Sequence, residues 1–448
     1  MVRASIRGRT VSNRWCGGAE PAWAVQSARR VSYQGMDAML TTFTLINHLK
    51  LLERRLELVS LRCARHLRPC ASRRKFPLKC MPAQGKYIMQ FGITIAPHID
   101  RWDLIQYAEG LGYDRAWVPD SQMIWSDCYA LLALAAVNTK RIQIGTGVSI
   151  TGTRIAPVTA HSIGTINQLA PGRVFLGLGT GHTAMRVMGQ DPMPVSEFRE
   201  YLRVVRALLD GEAVDYTYRG VTREIEFLHR DRYYVNLDNR IPIYVAGNGP
   251  KACQAAGAYG DGWTTIGRDT DQIGASYANI QHGAQALGRS LGGDFHTTLF
   301  SCTSVLRAGE DLSSERVVNE VGSWVTTELH FFYEIWNKAG RRDELIPPHF
   351  LNMWDEYLER VSKFSLPEES RFRQIHEGHA VYHMPEERRF ITPVAIRAIC
   401  MVGSAQDIID QIRDVEKAGI KEINIMPAAD HARDGFADFA RQVMPAFR

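Results

Sequence analysis

The sequence predicts a (β/α)8 TIM barrel with a large helical insertion before the last strand and a basic N-terminal extension. Three stretches predict it. Arg141-Ile-Gln-Ile-Gly-Thr-Gly-Val-Ser-Ile150 reads as a short apolar strand that ends in small residues, with Pro157 opening a helix. The pattern recurs as Arg173-Val-Phe-Leu-Gly-Leu-Gly-Thr-Gly-His182 and again as Ile241-Pro-Ile-Tyr-Val-Ala-Gly-Asn-Gly-Pro250. Strands that end in glycine turns and feed helices are βα units. The loops at their carboxyl ends build the site of such folds. Turns stripped of side chains there suit a large, flat, phosphate-bearing cofactor.

From Met89 the alternation is regular. Strand one is expected over 90–96, with a helix over 101–111 that stops at Gly112. Strand two covers 115–119 and closes on Asp120, and a helix covers 127–138. Strand three (142–148) leads to a helix over 157–169, and strand four (174–179) to one over 195–209. The charged stretch 211–240 is expected to hold a small hairpin. Strand five (241–246) precedes a helix over 250–259, and strand six (262–266) a helix over 272–287. Strand seven is expected over 297–306. The last unit is a helix over 405–418 and strand eight over 422–426, with a closing helix through Met444. An open doubly wound sheet is the alternative.

Charge divides the chain. Of its 53 Lys/Arg and 48 Asp/Glu, residues 1–88 take 17 and 4, leaving 36 and 44 for residues 89–448. An acidic body gives no support for nucleic-acid binding. Three readings of the basic extension 1–88 stand open. It is an upstream region translated from an early start, with Met81 or Met89 beginning the protein. It is an organelle-targeting peptide, which its Arg-rich, acid-poor composition resembles. Or it is a basic arm for a partner or a membrane surface. A helix over 41–59 is its one periodic segment. Cys128, Cys253, Cys302 and Cys400 sit in apolar surroundings and are expected to be reduced and buried. No apolar run is long enough to span a membrane, and a cytoplasmic location is expected.

The insertion, about 310–392, is rich in aromatics, among them Trp324, Phe331, Tyr333, Trp336, Trp354, Tyr357 and Tyr382. They pack the insertion onto the barrel, or some line an apolar pocket at its mouth. Asp120 ends strand two in Trp117-Val-Pro-Asp120, where an acid points into the site, unless it caps the next helix. Gly145, Gly147 and Val148 end strand three, and Gly179, Thr180 and Gly181 end strand four. Gly247, Asn248, Gly249 and Pro250 form a turn into a helix N-terminus, which offers free N–H groups to a phosphate. His182 and His98 follow strands four and one and are candidates for proton transfer. His376, His379 and His383 would share one face of a helix. Gly378 and Pro385 interrupt that segment and no carboxylate set accompanies it, so no metal site is assigned.

These residues carry a resemblance. Phe91-Gly-Ile, Ala116-Trp-Val-Pro-Asp120, Asn138-Thr-Lys-Arg-Ile142, Gly145-Thr-Gly-Val148, Pro171-Gly-Arg173 and Leu176-Gly-Leu-Gly-Thr-Gly181 resemble the bacterial luciferase-like superfamily of flavin and deazaflavin oxidoreductases. So do Leu208-Leu-Asp-Gly-Glu212, Gly249-Pro-Lys251, Ala258-Tyr-Gly-Asp-Gly262 and Val402-Gly-Ser404. The nearest branch is the methylenetetrahydromethanopterin reductase-like group, which uses coenzyme F-420. The resemblance implies a deazaflavin or FMN ring at the carboxyl ends of the strands and a non-prolyl cis peptide near Gly147–Val148. One position departs from it. The reductases carry a glutamate in a Phe-Gly-Ile-Glu pattern where this chain has Thr94, so the resemblance implies the scaffold rather than pterin reduction itself.

The implied function is hydride transfer between coenzyme F-420 or FMN and a small organic substrate, by a homodimer. An alternative is a two-component monooxygenase that takes reduced FMN from a separate flavin reductase and uses oxygen. A second alternative is a non-catalytic flavin-binding barrel.

Overall fold

The structure, a computed structural model, describes residues 88–448. The extension expected over 1–88 lies outside the described residues except for Ile88, and so does the helix expected over 41–59.

Eight parallel strands close into a barrel: β1 (Gln90–Thr94), β2 (Arg115–Val118), β3 (Gln143–Ile150), β4 (Val174–Gly179), β7 (Ile243–Ala246), β8 (Gly262–Thr265), β9 (His296–Ser301) and β12 (Glu422–Ile425). Their order around the barrel follows the chain, and β12 pairs with β1 to close it. Helices α1 (Asp103–Leu111), α2 (Cys128–Asn138), α3 (Ala156–Leu169), α4 (His182–Arg186) and α5 (Val195–Leu209) alternate with the strands. Then come α6 (Pro250–Tyr259) and α7 (Thr270–Gln285), and in the insertion α8 (Glu315–Lys338), α9 (Trp354–Ser362), α10 (Phe372–Ile375) and α11 (Pro393–Ile399). The chain ends with α12 (Ala405–Lys417) and α13 (Ala432–Gln442). The hairpin is β5 (Val214–Tyr218) with β6 (Val221–Ile225). The short helix α4 had no separate signal in the sequence.

The open-sheet alternative is excluded by the closed strand order. Strand seven also differs from expectation. It stops at Ser301, and Thr303–Val305 (β10) pairs in parallel with Met401–Gly403 (β11), outside the barrel. Cys302 and Cys400 stand at this corner, both buried in the second of two apolar clusters. That cluster is built from α8, α9, α11 and the loops between them, so the insertion carries its own core. Tyr333, Trp336, Trp354 and Tyr357 belong to it, and Trp324 packs against it.

The period-two pattern of the strands explains the barrel's filling. Ile93, Ala116, Ile144, Leu176, Ile243, Leu299 and Ile423 join the main apolar cluster with the helices. The alternate positions carry Trp117, Phe175 and Tyr244, which pack together as a separate aromatic cluster. At the same level Glu422 is fully buried. It accepts hydrogen bonds from Trp117 Nε1 (2.8 Å) and Thr298 Oγ1 (3.1 Å), pairs with Arg115 Nη1 (3.2 Å) and meets His296 Nε2 at 2.6 Å. Burial alone would raise its pKa, but Arg115 and the His296 and Trp117 bonds hold it down to about 2. A Cβ on Gly92 would sit 2.2 Å from Glu422 Oε1, so the carboxylate requires glycine there.

Met89 is buried and the Gln90 N–H bonds to Lys421 O. A chain begun at Met81 keeps both. Its melting temperature is expected to equal that of the full chain, and a loss of several degrees would contradict this. A chain begun at Met89 would put a charged amino terminus directly beside a buried side chain and is expected to be less stable.

Candidate active site

The loops after β2, β3, β4 and β7 surround a cavity of about 790 Å³ at the carboxyl ends of the strands. Asp120, Gly147, Val148, Gly179, Thr180, Gly181, His182, Gly247, Asn248, Gly249 and Pro250 all line it, joined by Lys251 and by His379 from the insertion. Two expected members stand elsewhere. Gly145 lies deeper in β3, where a Cβ would meet Phe175 O at 2.3 Å, so its glycine serves strand packing. His98 is exposed on the surface, with Nδ1 2.5 Å from Asp100 Oδ1. It takes no part in the cavity.

The peptide between Gly147 and Val148 is cis, and the pairing of β3 with β4 shifts register between Thr146 and Ser149. This bulge explains why β4 is bare. A Cβ on Gly177 would meet Thr146 O at 2.2 Å, one on Gly179 would meet Val148 Cγ2 at 2.8 Å, and one on Gly181 would meet Ile150 Cγ2 at 2.2 Å. These glycines therefore make room for β3, a reason that composition did not show. Gly249 is different. It lines the cavity, and a Cβ there would meet nothing within 4 Å.

Gly249 is the N-cap of α6, and Pro250 is the first helical residue. The N–H groups of the first turn have no partner within the helix, and the helix dipole adds positive potential there. Lys251 stands on the same rim. The turn is pinned from behind, since Trp263 Nε1 donates to Gly247 O (2.6 Å) and Thr265 Oγ1 to Asn248 Oδ1 (2.9 Å). An open glycine cradle before a free helix N-terminus fits the phosphate of a flavin-type cofactor.

Asp120 is buried, and its carboxylate is fully engaged. Oδ2 accepts from Arg154 Nη1 (2.6 Å), Ser149 Oγ (3.1 Å) and the Ile150 N–H (3.2 Å), and Oδ1 accepts from Gln122 Nε2 (2.6 Å). Asp120 is not a helix cap. Asp127 caps α2, accepting from the Tyr129 and Ala130 N–H groups, and Arg154 bridges the two acids. Asp120 thus ties β2 to the end of β3 beside the cis peptide. Arg154 and Ser149 were missed in the sequence, although a lone arginine in the loop after strand three was the available signal.

His182 opens α4 and packs edge-on against Phe331, ring centroids 4.6 Å apart. Burial lowers its pKa to about 4, and the nearby Glu334 only partly offsets this. The ring is uncharged near neutrality. Burial likewise drives His379 well below the ordinary imidazole value, reinforced by His376, His330 and His182. The helix expected to align His376, His379 and His383 does not form, because α10 ends at Ile375 and Gly378 turns the chain at φ +77°. Instead His376 Nε2 bonds to Glu334 Oε1 at 3.1 Å. Among the described residues no group of three or more His, Cys, Asp or Glu is arranged to hold a metal ion, and no helix is long and apolar enough to cross a membrane. Thr94 is buried, its hydroxyl donating to Asn424 Oδ1 at 3.0 Å.

Comparison with known proteins gives the family and the fold. The profile of the luciferase-like monooxygenase family matches residues 100–422. The chain is 32% identical over 223 residues to a 5,10-methylenetetrahydromethanopterin reductase of Archaeoglobus fulgidus, covering 48% of this chain and 64% of the relative. It is 33% identical over 198 residues to an F-420-dependent hydroxymycolic acid dehydrogenase of Mycobacterium tuberculosis, covering 41% and 53%. These matches span less than two thirds of each relative's own length. The solved F-420-dependent tetrahydromethanopterin reductase of Methanopyrus kandleri shares the fold, with a TM-score of 0.61 at 21% identity over 81% of this chain and all of that one. The chain belongs to the luciferase-like monooxygenase family.

Proposed function

We propose that this protein is an F-420-dependent oxidoreductase that exchanges a hydride with a small organic substrate at the barrel mouth. The observation that carries the reading is the open cradle at Gly249 before the free N-terminus of α6, on the rim of a cavity the size of a cofactor site. The similarity to F-420-dependent reductases and dehydrogenases favours the deazaflavin over FMN. When bound, the deazaflavin supplies a hydride acceptor or donor at its ring carbon C5. The protein's own groups do the rest. The first turn of α6 and Lys251 hold the phosphate, Val148 and Gly147 form the floor under the ring, and Asp120 with Arg154 fixes that floor. The uncharged rings of His182 and His379 face the substrate side.

Asp120→Asn is the variant that tests the floor. It removes the charge opposite Arg154 while keeping the shape. Turnover is expected to fall at least about tenfold, about 1.4 kcal/mol of barrier. The check is steady-state kinetics beside an F-420 titration. A fall in turnover that exceeds the change in affinity assigns Asp120 to alignment of the reacting groups. Near-normal turnover would contradict the role. His182→Ala is expected to have a smaller effect in the same assay.

The reading also includes a homodimer and no flavin reductase. Oxygen consumption that depends on an added flavin reductase would favour the monooxygenase alternative.

A further inference from the structure

We propose that His379, supplied by the insertion, holds the uncharged hydroxyl or carbonyl oxygen of a neutral substrate in the barrel-mouth cavity. The inference rests on the proposed function, in that it takes this cavity to be the reaction site. It names the substrate class and a residue outside the barrel that recognises it.

The segment that carries His379 is built to present it. Gly378 and Ala380 flank it at φ +77° and +51°, and the left-handed pair makes a tight turn. The turn is anchored on both sides. The Ala380 N–H donates to Thr327 Oγ1 (3.1 Å), and His376 is bonded to Glu334. Both anchors are on α8. Between them His379 reaches the cavity that the barrel loops form. Its Nδ1 meets Thr327 Oγ1 at 3.3 Å, which leaves Nε2 without a hydrogen-bond partner among the described residues. Trp125 lies beside the ring, centroids 6.2 Å apart. A ring fixed at one nitrogen and free at the other is a directed hydrogen-bonding group.

The surroundings select the charge of what binds. The titratable groups around His379 are His376 and His330 from the insertion and His182 from the barrel. His182 is uncharged as well, and its Nδ1 is buried without a partner. Asp120 is paired with Arg154, which also holds Asp127, and its two oxygens are taken up by Arg154, Ser149, the Ile150 N–H and Gln122. Lys251 stands at the α6 end, where the phosphate is expected. The substrate side therefore offers two uncharged imidazoles and apolar surface from Ile150, Ala184 and Val195. A carboxylate or ammonium placed there would lose its hydration, and the charged groups beside His182 already have partners, Arg186 in Asp191 and Glu334 in His376. A hydroxyl or carbonyl would gain a hydrogen bond and bury its carbon skeleton.

The test uses full-length protein, first titrated with F-420 and then, by calorimetry, with cyclohexanol and with cyclohexanecarboxylate, which match in size and differ in charge. Cyclohexanol is expected to bind, and the carboxylate at least about tenfold more weakly. His379→Phe should weaken cyclohexanol at least about tenfold, His379→Gln should restore most of the loss, and F-420 affinity should not change in either. Cyclohexanol should also shift the imidazole nitrogen resonance of His379 in the wild-type protein. Equal or tighter carboxylate binding, an unaffected His379→Phe variant, or an unmoved resonance would overturn the inference. Failure of F-420 to bind would instead overturn the proposed function. The His379 resonance, read with cyclohexanol on protein without cofactor, would then still decide this proposal.

Discussion

Glu422→Ala is expected to destabilise the protein by about 3–5 kcal/mol, the usual consequence of breaking a buried ion pair from one side. Arg115 would be left in the barrel without its partner, and Trp117 Nε1, Thr298 Oγ1 and His296 would lose their acceptor. A folded domain has about 5–15 kcal/mol in total, so chemical denaturation should show a large shift of the midpoint. The site is at the other end of the strands, so cofactor affinity of the folded fraction should be unchanged. The pH dependence follows from the same group. A carboxylate held at about 2, against 4.5 ordinarily, contributes stability above 4.5 that is lost as pH falls toward 2. His296, His182 and His379 have depressed values, so each contributes stability above the ordinary imidazole range that is lost on acidification below it. All four act in one direction. The melting temperature should fall below about pH 6.5 and more steeply below about 4.5. Glu422→Gln should flatten the lower part of that curve. An unchanged curve would contradict the assignment.

Gly249→Val is expected to weaken F-420 binding about a hundredfold, about 2.7 kcal/mol, and to leave the melting temperature close to wild type. The backbone there has φ −84°, which any residue adopts, and the new Cβ meets no protein atom. The added methyl groups would stand in the cavity at the phosphate end. Gly247→Val is the contrasting variant. Its Cβ would meet Ala252 Cβ at 2.5 Å, so it should lower stability as well as binding. Fluorescence titration with F-420 and thermal melting separate the two. Full affinity in the Gly249 variant would move the phosphate away from α6.

The barrel was legible because its signals are local. Strands β1, β2, β4 and β12 are short apolar runs with period two, and α5 and α6 begin and end where the sequence places them. The site glycines were legible as positions but not as causes. Composition cannot distinguish Gly177, which yields to the Thr146 carbonyl, from Gly249, which faces open space. One lies within β4 and the other just after β7, and both read simply as glycine near a strand end. Glu422 was missed although Glu-Ile-Asn-Ile alternates polar and apolar, because a lone acid on a strand end usually faces water. Its partners Arg115 and His296 lie on strands far away in the sequence. His379 was read only as a metal candidate. What gives it a role is a turn at Gly378 that no periodicity reports, together with an anchor at Thr327 some fifty positions earlier. His98 was placed in the site because it follows a strand, but a 3-10 turn at Ile99–Arg101 follows it and leaves it on the surface.

Spectroscopy with the two reduced cofactors separates deazaflavin hydride transfer from oxygen chemistry on FMN most directly. Purified protein is mixed without oxygen with reduced F-420 or with reduced FMN, and oxygen is then admitted. Reduced F-420 is expected to bind in the barrel-mouth cavity, Gly249→Val to abolish most of this binding, and the bound reduced deazaflavin to persist in oxygen until a hydride acceptor is added. Binding of reduced FMN alone, with rapid oxygen consumption, would contradict this.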